Sequence, residues 1–472
     1  MATGVGLLAF LGWGWNSVFA AWFVPVFLIR FFRSQKRWFA PLIAVPLMMA
    51  VFYQGMSGSW ELTVGFLLSV SFARTLPFLA ALYMDRFFSR RVDGVLATLV
   101  YPSTYVLADY VFSFGPVGSI FSAGATQYSF SPFVQLTAVT GLWGLSFVTG
   151  WFGATVNALL ENGFDAKRVK RPIVIFAAVA GGLIAMGSLR LAVFRTDVPT
   201  VRIGSIAVPH PNNYWDEIDV NTPRNGAVRY AAEFADIENQ LFLASERAVA
   251  SGAKIVMWSE GNAVMYEDHE SRFMERANRF AQENGVYLAP GMLVLHYGTD
   301  YAQNKVPLIG PDGEIVFSYE KTKTPFPTES DGVLPVADTP YGRLSAAVCF
   351  DMDFPTFANQ LGSQDVDIML VPSFDTKAIA PFHTETALFR AVENGFSLVR
   401  QVNKGASMAV DAHGNVLAYQ DFFGVDDATM ISDVPVRGVT TLYGIAGDWF
   451  VYACALFLLV MLGSTIRAPR PA

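Results

Sequence analysis

Residues 344–355 read LSAAVCFDMDFP. Small and apolar residues lead into Cys349, and the carboxylates of Asp351 and Asp353 follow it, the pattern of a buried strand that ends on a reactive side chain. A lone cysteine in such a place is usually a small buried hydrophobe. It is a nucleophile only as thiolate, which requires a base or a cation nearby. Two upstream stretches carry such groups. In VMWSEGNAV, 256–264, Glu260 directly follows an apolar run, and the carboxyl end of a strand is where α/β domains build their sites. In SYEKTKTPFPTE, 318–329, Lys321 lies in a short charged loop with Glu329 further on. Taken singly, a glutamate after a strand is usually a cap or a solvated carboxylate, and a loop lysine is usually exposed. Taken together they make a reaction: Glu260 removes the thiol proton, the thiolate attacks an ester or amide carbonyl, and Lys321 meets the charge that develops on the oxygen. The backbone N–H after Cys349 is a candidate second donor to that oxygen.

Around these segments, apolar runs of strand length alternate with amphipathic ones over about residues 196–445. Strands are expected at 201–208, 254–258, 286–290, 306–310, 343–350, 367–372, 397–402 and 407–410, and helices at 229–251, 271–284 and 384–394. Pro311-Asp312-Gly313 and Ala412-His413-Gly414-Asn415 are tight-turn signals inside hairpins. The alternation predicts an α/β domain of stacked helix and sheet layers.

The rest of the chain is suited to lipid. Its 472 residues are 53% hydrophobic with a mean hydropathy of +0.36, above what soluble globular proteins carry. Apolar stretches lie near 4–32, 38–54, 61–83, 95–114, 133–160, 173–189 and 448–466. The first is interrupted by GWGWNS at 12–17 and reads as one tilted helix or a short hairpin. With no basic n-region and no small-residue cleavage site, it is expected to be retained. Arg30, Arg33, Lys36 and Arg37 form one basic cluster, Arg86, Arg90 and Arg91 a second, and Lys167, Arg168, Lys170 and Arg171 a third. The loops between, 55–59 and 115–132, hold no Lys or Arg. Basic residues in short loops stay cytoplasmic, so the helix starting near Ile173 is expected to run outward. The expected division is a transmembrane helix bundle at 1–195, an extracytoplasmic catalytic domain at 196–445, and a C-terminal transmembrane helix with a short cytoplasmic tail at 446–472. Arg74 and Asp109 stand inside apolar runs, where a lone charge costs about 2.5–3.5 kcal/mol or more. They pair or snorkel to the interface, or Arg74 holds a phospholipid headgroup phosphate.

Composition removes other classes. A net charge of −7 with no long basic run argues against a nucleic-acid partner. The five histidines lack ligand spacing, so no metal is expected. Two cysteines, Cys349 and Cys454, make no disulfide framework. The glycines at 141–144 and 181–182 fall in apolar spans and suit close helix packing. A Cys349–His383 hydrolase is a mechanistic rival that leaves the Glu260 and Lys321 segments unexplained.

In chain order, Glu260, Lys321 and Cys349 resemble the Glu-Lys-Cys triad of the carbon-nitrogen hydrolase (nitrilase) superfamily. Arg390-Ala391-Val392-Glu393-Asn394 resembles that superfamily's arginine-alanine-x-glutamate-asparagine stretch. With its helical frame, the chain is similar to the apolipoprotein N-acyltransferase family. The resemblance implies an α/β fold, a nitrilase-like α-β-β-α sandwich inserted between an N-terminal transmembrane bundle and one C-terminal transmembrane helix. It implies Glu260 as base, Lys321 as oxyanion donor, Glu329 as a second essential glutamate and Cys349 as nucleophile, with no cofactor. Trp215, in HPNNYWDE, together with Phe350 and Arg74, is expected to bind substrate. This chain has Trp258-Ser259-Glu260 where the family has Trp-Pro-Glu, PFPTE at 325–329 for Pro-Phe-Gly-Glu, Phe350-Asp351 for Tyr-Glu, and Ser373-Phe374-Asp375 for Asn-x-x-Trp-Phe. These departures bear on the substrate, because the lysine loop and the segment after Pro372 would line the acyl and acceptor entrance. An apolar loop at 378–382 is expected to dip into the membrane surface.

The implied reaction takes a fatty acyl group from a phospholipid, through a Cys349 thioester, to the N-terminal amine of a diacylglyceryl-cysteine lipoprotein. The implied setting is a monomer in the bacterial cytoplasmic membrane, multi-pass, with its catalytic domain outside. A membrane-tethered nitrilase-type amidase, or an N-acyltransferase with another amine acceptor, would use the same triad. A catalytically dead scaffold is the non-enzymatic alternative, against which the intact Glu260, Lys321, Glu329 and Cys349 set argues.

Overall fold

The computed structural model describes residues 4, 6, 17–58, 63–193, 198–210, 224–298, 301–324, 327–425 and 428–467. Trp215 lies outside the described residues. The chain forms two compact units: Met1–Arg195 with Asp353–Thr356 and Thr441–Ala472, and Thr196–Met352 with Phe357–Thr440.

The first unit is helical. Its helices are α1 (Val18–Ser34), α2 (Phe39–Met56), α3 (Val64–Phe88), α4 (Gly94–Phe112), α5 (Leu142–Glu161) and α6 (Ala166–Val193), with a C-terminal helix at Trp449–Arg467. Among the described residues, four helices are long and apolar enough to cross a membrane: Phe39–Met56, Val64–Phe88, Gly94–Phe112 and Lys167–Val193. The apolar helix Trp449–Thr465 is shorter. The apolar stretch at 133–160 is not one straight span, because Ser131–Thr140 and Leu142–Glu161 meet at 117°. The break falls on Gly141, at φ 65° and ψ −174°. A Cβ there would lie 2.4 Å from the ring of Tyr443, so dihedral and space both require glycine. Tyr443 and Trp143 donate to the same Asp448 oxygen, each at 2.9 Å, which fastens the C-terminal segment to the start of α5.

Two ionisable sites inside this unit are paired. Arg33 grips Asp85 of α3 through Nε and Nη2, each at 2.7 Å, and reaches Glu161 of α5 at 2.8 Å. The C-terminal ends of α1, α3 and α5 therefore gather, and those are the ends next to the three basic clusters. Arg74 is buried, donates to the Phe121 carbonyl and to Asp109 at 3.3 Å, and has the Phe112 ring 4.7 Å away. Of the expectations for Arg74, pairing with Asp109 is the one displayed.

The second unit is built on two sheets. Its strands are β1 (Thr200–Ala207), β2 (Ile255–Trp258), β3 (Ala263–Tyr266), β4 (Tyr287–Ala289), β5 (Met292–Leu295), β6 (Ala302–Ile309) and β7 (Ile315–Glu320), then β8 (Val336–Thr339), β9 (Gly342–Ala346), β10 (Ile368–Phe374), β11 (Ser397–Asn403), β12 (Ala406–Val410), β13 (Val416–Asp421) and β14 (Ala428–Pro435). One sheet runs β14-β1-β2-β4-β6-β5-β3 with β7 paired to β6, and the other runs β13-β12-β11-β10-β9-β8. The centres β1-β2-β4 and β9-β10-β11 are parallel, so their carboxyl ends open on one side, as α/β sites require. Helices α7 (Arg224–Ala250) and α8 (Glu270–Asn284) cover the first sheet and α9 (Ala380–Asn394) the second, while β1 meets β11 and β2 meets β10 between them. This is the α-β-β-α sandwich. The sequence explains the layering: α8 buries Phe273, Ala277, Phe280 and Ala281, one helical face, and stops at Gly285 in a left-handed cap.

Two local expectations are corrected. The strand expected at 343–350 ends at Ala346, and Cys349–Asp353 is a turn of 3₁₀ helix. The apolar segment 378–382 is not an exposed loop: Ile379 caps α9, and Ile379, Ala380 and Phe382 are buried.

Candidate active site

Three chain segments deliver Glu260, Lys321 and Cys349 to one buried point, each just beyond a strand. Glu260 follows β2 on a turn pinned by Asn262, which donates to the Val208 carbonyl at 3.0 Å and accepts from the Val208 N–H at 2.8 Å. Ser259, which stands where the family has proline, donates to that same Asn262 at 3.0 Å. Lys321 follows β7, and its backbone N–H donates to the Asn304 carbonyl at 2.8 Å. Cys349 opens the 3₁₀ turn at φ 50°, a conformation uncommon outside glycine and typical of functional turns.

Glu260 is fully committed. Its Oε1 accepts from Lys321 Nζ at 2.6 Å and from Asn304 Nδ2 at 2.7 Å. Its Oε2 accepts from the Phe374 N–H at 2.9 Å, so one carboxylate joins both sheets. Cys349 Sγ donates to the Phe374 carbonyl at 3.6 Å. The segment after Pro372, expected to line an entrance, is thus part of the site's frame. Asp351 accepts from Tyr319 Oη at 2.8 Å, from the Lys323 N–H at 2.6 Å and from the Val348 N–H at 3.1 Å, tying the lysine loop to the cysteine turn. Burial lifts its carboxyl to about 6, against the pull of Lys321.

The electrostatics give a resting thiol. Burial pushes the Cys349 thiol up and the Glu260 charge adds to this, while Lys321 and Arg400 pull it back. Burial opposes the Lys321 ammonium, but Glu260, Cys349 and Asp351 outweigh it and hold the group above the ordinary lysine range. The thiolate therefore forms only as its proton leaves for a base.

The other expected residues are placed differently. Glu329 is exposed, and its backbone N–H donates to Glu320 at 2.9 Å. Phe350 follows Cys349, with its ring 6.4 Å from that of His383. Arg74 belongs to the helical unit.

A second cluster stands at the sulfur, of which the sequence offered only His383, as the partner of Cys349 in the rival reading. One donor atom each from Cys349, Asp375 and His383 lie within 4.8 Å of one another, a set of types that can hold a metal. Arg400 Nη2 already stands among them, 2.9 Å from His383 Nδ1, 3.1 Å from Asp375 Oδ1 and 4.0 Å from Cys349 Sγ. A divalent ion there would be pressed against a guanidinium. Burial works against the Asp375 carboxylate, but Arg400 and then His383 hold it down at about 2. The five histidines gave no sign of this in their spacing; Asp375 and Arg400 gave only the weak sign of charge inside strand-like runs.

Residues 223–441 match the family model of the carbon-nitrogen hydrolases. The chain is 25% identical over 443 residues to an apolipoprotein N-acyltransferase of Geobacter metallireducens, covering 86% of this chain and 81% of the relative. It is 29% identical over 221 residues to a deaminated glutathione amidase of Yersinia enterocolitica, covering 39% of this chain and 75% of that one. Among solved structures, an amidase from Nesterenkonia sp. aligns at 19% identity and a TM-score of 0.40, covering 55% of this chain and 98% of the amidase.

Proposed function

We propose that this chain, which carries a carbon-nitrogen hydrolase domain and is similar over most of its length to apolipoprotein N-acyltransferases, is a membrane N-acyltransferase. Its Cys349 takes a fatty acyl group from a phospholipid and passes it to the N-terminal amine of a diacylglyceryl-cysteine lipoprotein. The observation that carries this reading is the partly buried Lys321–Glu260 pair at 2.6 Å beside Cys349, in a chain that also carries membrane-length helices. The sequence likeness to the deaminated glutathione amidase covers 39% of the chain, whereas that to the acyltransferase covers 86%.

In the first half-reaction Glu260 takes the Cys349 proton, the thiolate forms a C–S bond at the ester carbonyl, and the C–O bond breaks. Glu260 returns the proton to the lysophospholipid alkoxide. In the second, the amine forms a C–N bond at the thioester carbonyl, the C–S bond breaks, and Glu260 accepts the amine proton and hands it to the departing Cys349 thiolate. Lys321 donates to the carbonyl oxyanion in both. Glu329 is the second essential glutamate in this reading, and Trp215 and Phe350 bind substrate. Purified protein in detergent should move labelled acyl chains from a phospholipid to a diacylglyceryl lipopeptide. Release of free fatty acid, with no acylated lipopeptide, would make water the acceptor and select a hydrolase instead.

The domain division belongs to this proposal: a transmembrane bundle at 1–195, a catalytic domain at 196–445 on the extracytoplasmic face of the cytoplasmic membrane, and a returning helix at 446–472. The gathered ends of α1, α3 and α5 beside the basic clusters support one common side for those loops. Reporters fused after Val193 and within 30–37 should lie on opposite sides, the latter cytoplasmic. A cytoplasmic signal from both would sink the topology.

A further inference from the structure

Arg400 is a buried cation whose position is over-determined. Its Nη1 donates to Asp375 Oδ2 at 3.0 Å and to Thr384 Oγ1, its Nη2 to Asp375 Oδ1 at 3.1 Å, and His383 Nδ1 lies 2.9 Å from Nη2 and 2.7 Å from Asp375 Oδ1. Arg400, Asp375, His383 and Thr384 are all buried. The sheet does not need this cluster, because β10 and β11 pair through their backbones from Ile368 to Phe374. A buried ion set is costly to assemble and weak evidence of stability in itself. What the cluster achieves is to aim one guanidinium N–H at Cys349 Sγ, 4.0 Å away.

We propose that Arg400 is a second active-site cation, which stabilises the Cys349 thiolate, and that Asp375 and His383 are positioning residues that hold it there. The proposal rests on Cys349 being the nucleophile. Sulfur bears negative charge twice per cycle, when the thiol is activated and when the amine expels it from the thioester. Lys321 is spoken for at both moments, because its ammonium is bonded to Glu260 and serves the carbonyl oxygen. A guanidinium gripped through both nitrogens by one carboxylate cannot swing away, which a lysine at the same place could do. The charged or titratable groups facing this sulfur are Glu260, Lys321, Asp351, Asp375, His383 and Arg400. Glu260 and Asp375 oppose the thiolate, and Arg400 is the cation not engaged at the oxyanion.

The test uses the full chain with Cys454→Ser, which leaves Cys349 as the one thiol. Iodoacetamide alkylation of Cys349 is followed against pH in this background, in Arg400→Gln and in Arg400→Lys, alongside acyl-transfer kinetics. Arg400→Gln should raise the alkylation midpoint by about one unit or more, a slowing of about tenfold at any fixed pH below it, since only thiolate reacts. Arg400→Lys should raise it less, by about threefold in rate, because the charge stays and the fork is lost. In both, kcat should fall with KM for the lipid unchanged. An unmoved midpoint in whichever of the two variants folds overturns the role of Arg400. Acyl transfer that survives Cys349→Ala overturns the nucleophile reading beneath it, so the two failures are read by different assays.

Discussion

Cys349 should carry a hydroxylamine-sensitive acyl group when the protein is isolated from membranes without an amine acceptor, and Cys349→Ala should carry none. The site favours accumulation because Cys349 is 5% exposed and Glu260 6% exposed, so water reaches the thioester poorly while the amine is absent. Turnover should fall by about 10⁴-fold or more in Cys349→Ala. Cys349→Ser should fall nearly as far, since an alcohol is a far weaker nucleophile than a thiolate at neutral pH. Neither change should disturb the fold much. Sγ makes two long contacts, to the Phe374 carbonyl and from Arg400 Nη2, and serine or alanine at φ 50° is no more strained than cysteine. Loss of activity in a folded variant is then a statement about chemistry. The measurement is labelling with an alkyne-tagged phospholipid, followed by mass spectrometry of the peptide holding residue 349. Label retained in Cys349→Ala would remove Cys349 as the acyl carrier.

Glu260 and Cys349 were legible because each comes after a run of apolar residues, whereas Lys321 follows β7, which shows no such run, and was found through its charged segment and the Glu-Lys-Cys order. IVMW of β2 is wholly buried, as is most of β10, so both stand out as continuous apolar runs. Other strands could not be read that way. β13 alternates exposed and half-buried residues at a sheet edge, and β7 keeps one buried position in six, so neither shows a hydrophobic face. β3 and β5 are four residues each, too short for a period to show. The bend at Gly141 depends on Tyr443, a contact far away in sequence. Asn304, Asp375 and Arg400 escaped for the same reason: each is ordinary in its own segment and reaches the site only through contacts distant in sequence. Glu329 marks the opposite case, a residue carried by a motif whose side chain the fold leaves exposed.

Lys321→Ala should lower kcat by about 10²–10³-fold or more, with KM for the phospholipid nearly unchanged. The minimum comes from losing one oxyanion donor, which acts on charge present only in the transition state. A second loss adds to it. Glu260 would lose its cation while still accepting from Asn304 and the Phe374 N–H inside the protein. The charge-assisted bond that holds this carboxylate in place for the cysteine proton would be gone. Removing one partner of a buried pair also costs about 3–5 kcal/mol of stability, so Lys321→Met, which keeps more of the volume, is the cleaner variant. Glu260→Gln makes the complementary case. Oε1 accepts from Lys321 and Asn304 while Oε2 accepts from Phe374, so either orientation of a glutamine turns its amide N–H₂ toward a donor. That variant should lose the base and melt earlier as well, whereas Lys321→Met should keep lipid binding and fail at thioester formation. Single-turnover acylation, measured with lipid binding and thermal unfolding on the same preparations, separates these outcomes. A Lys321→Met protein that forms the Cys349 adduct at the wild-type rate would take the lysine out of the chemistry and leave it as the counter-ion of Glu260.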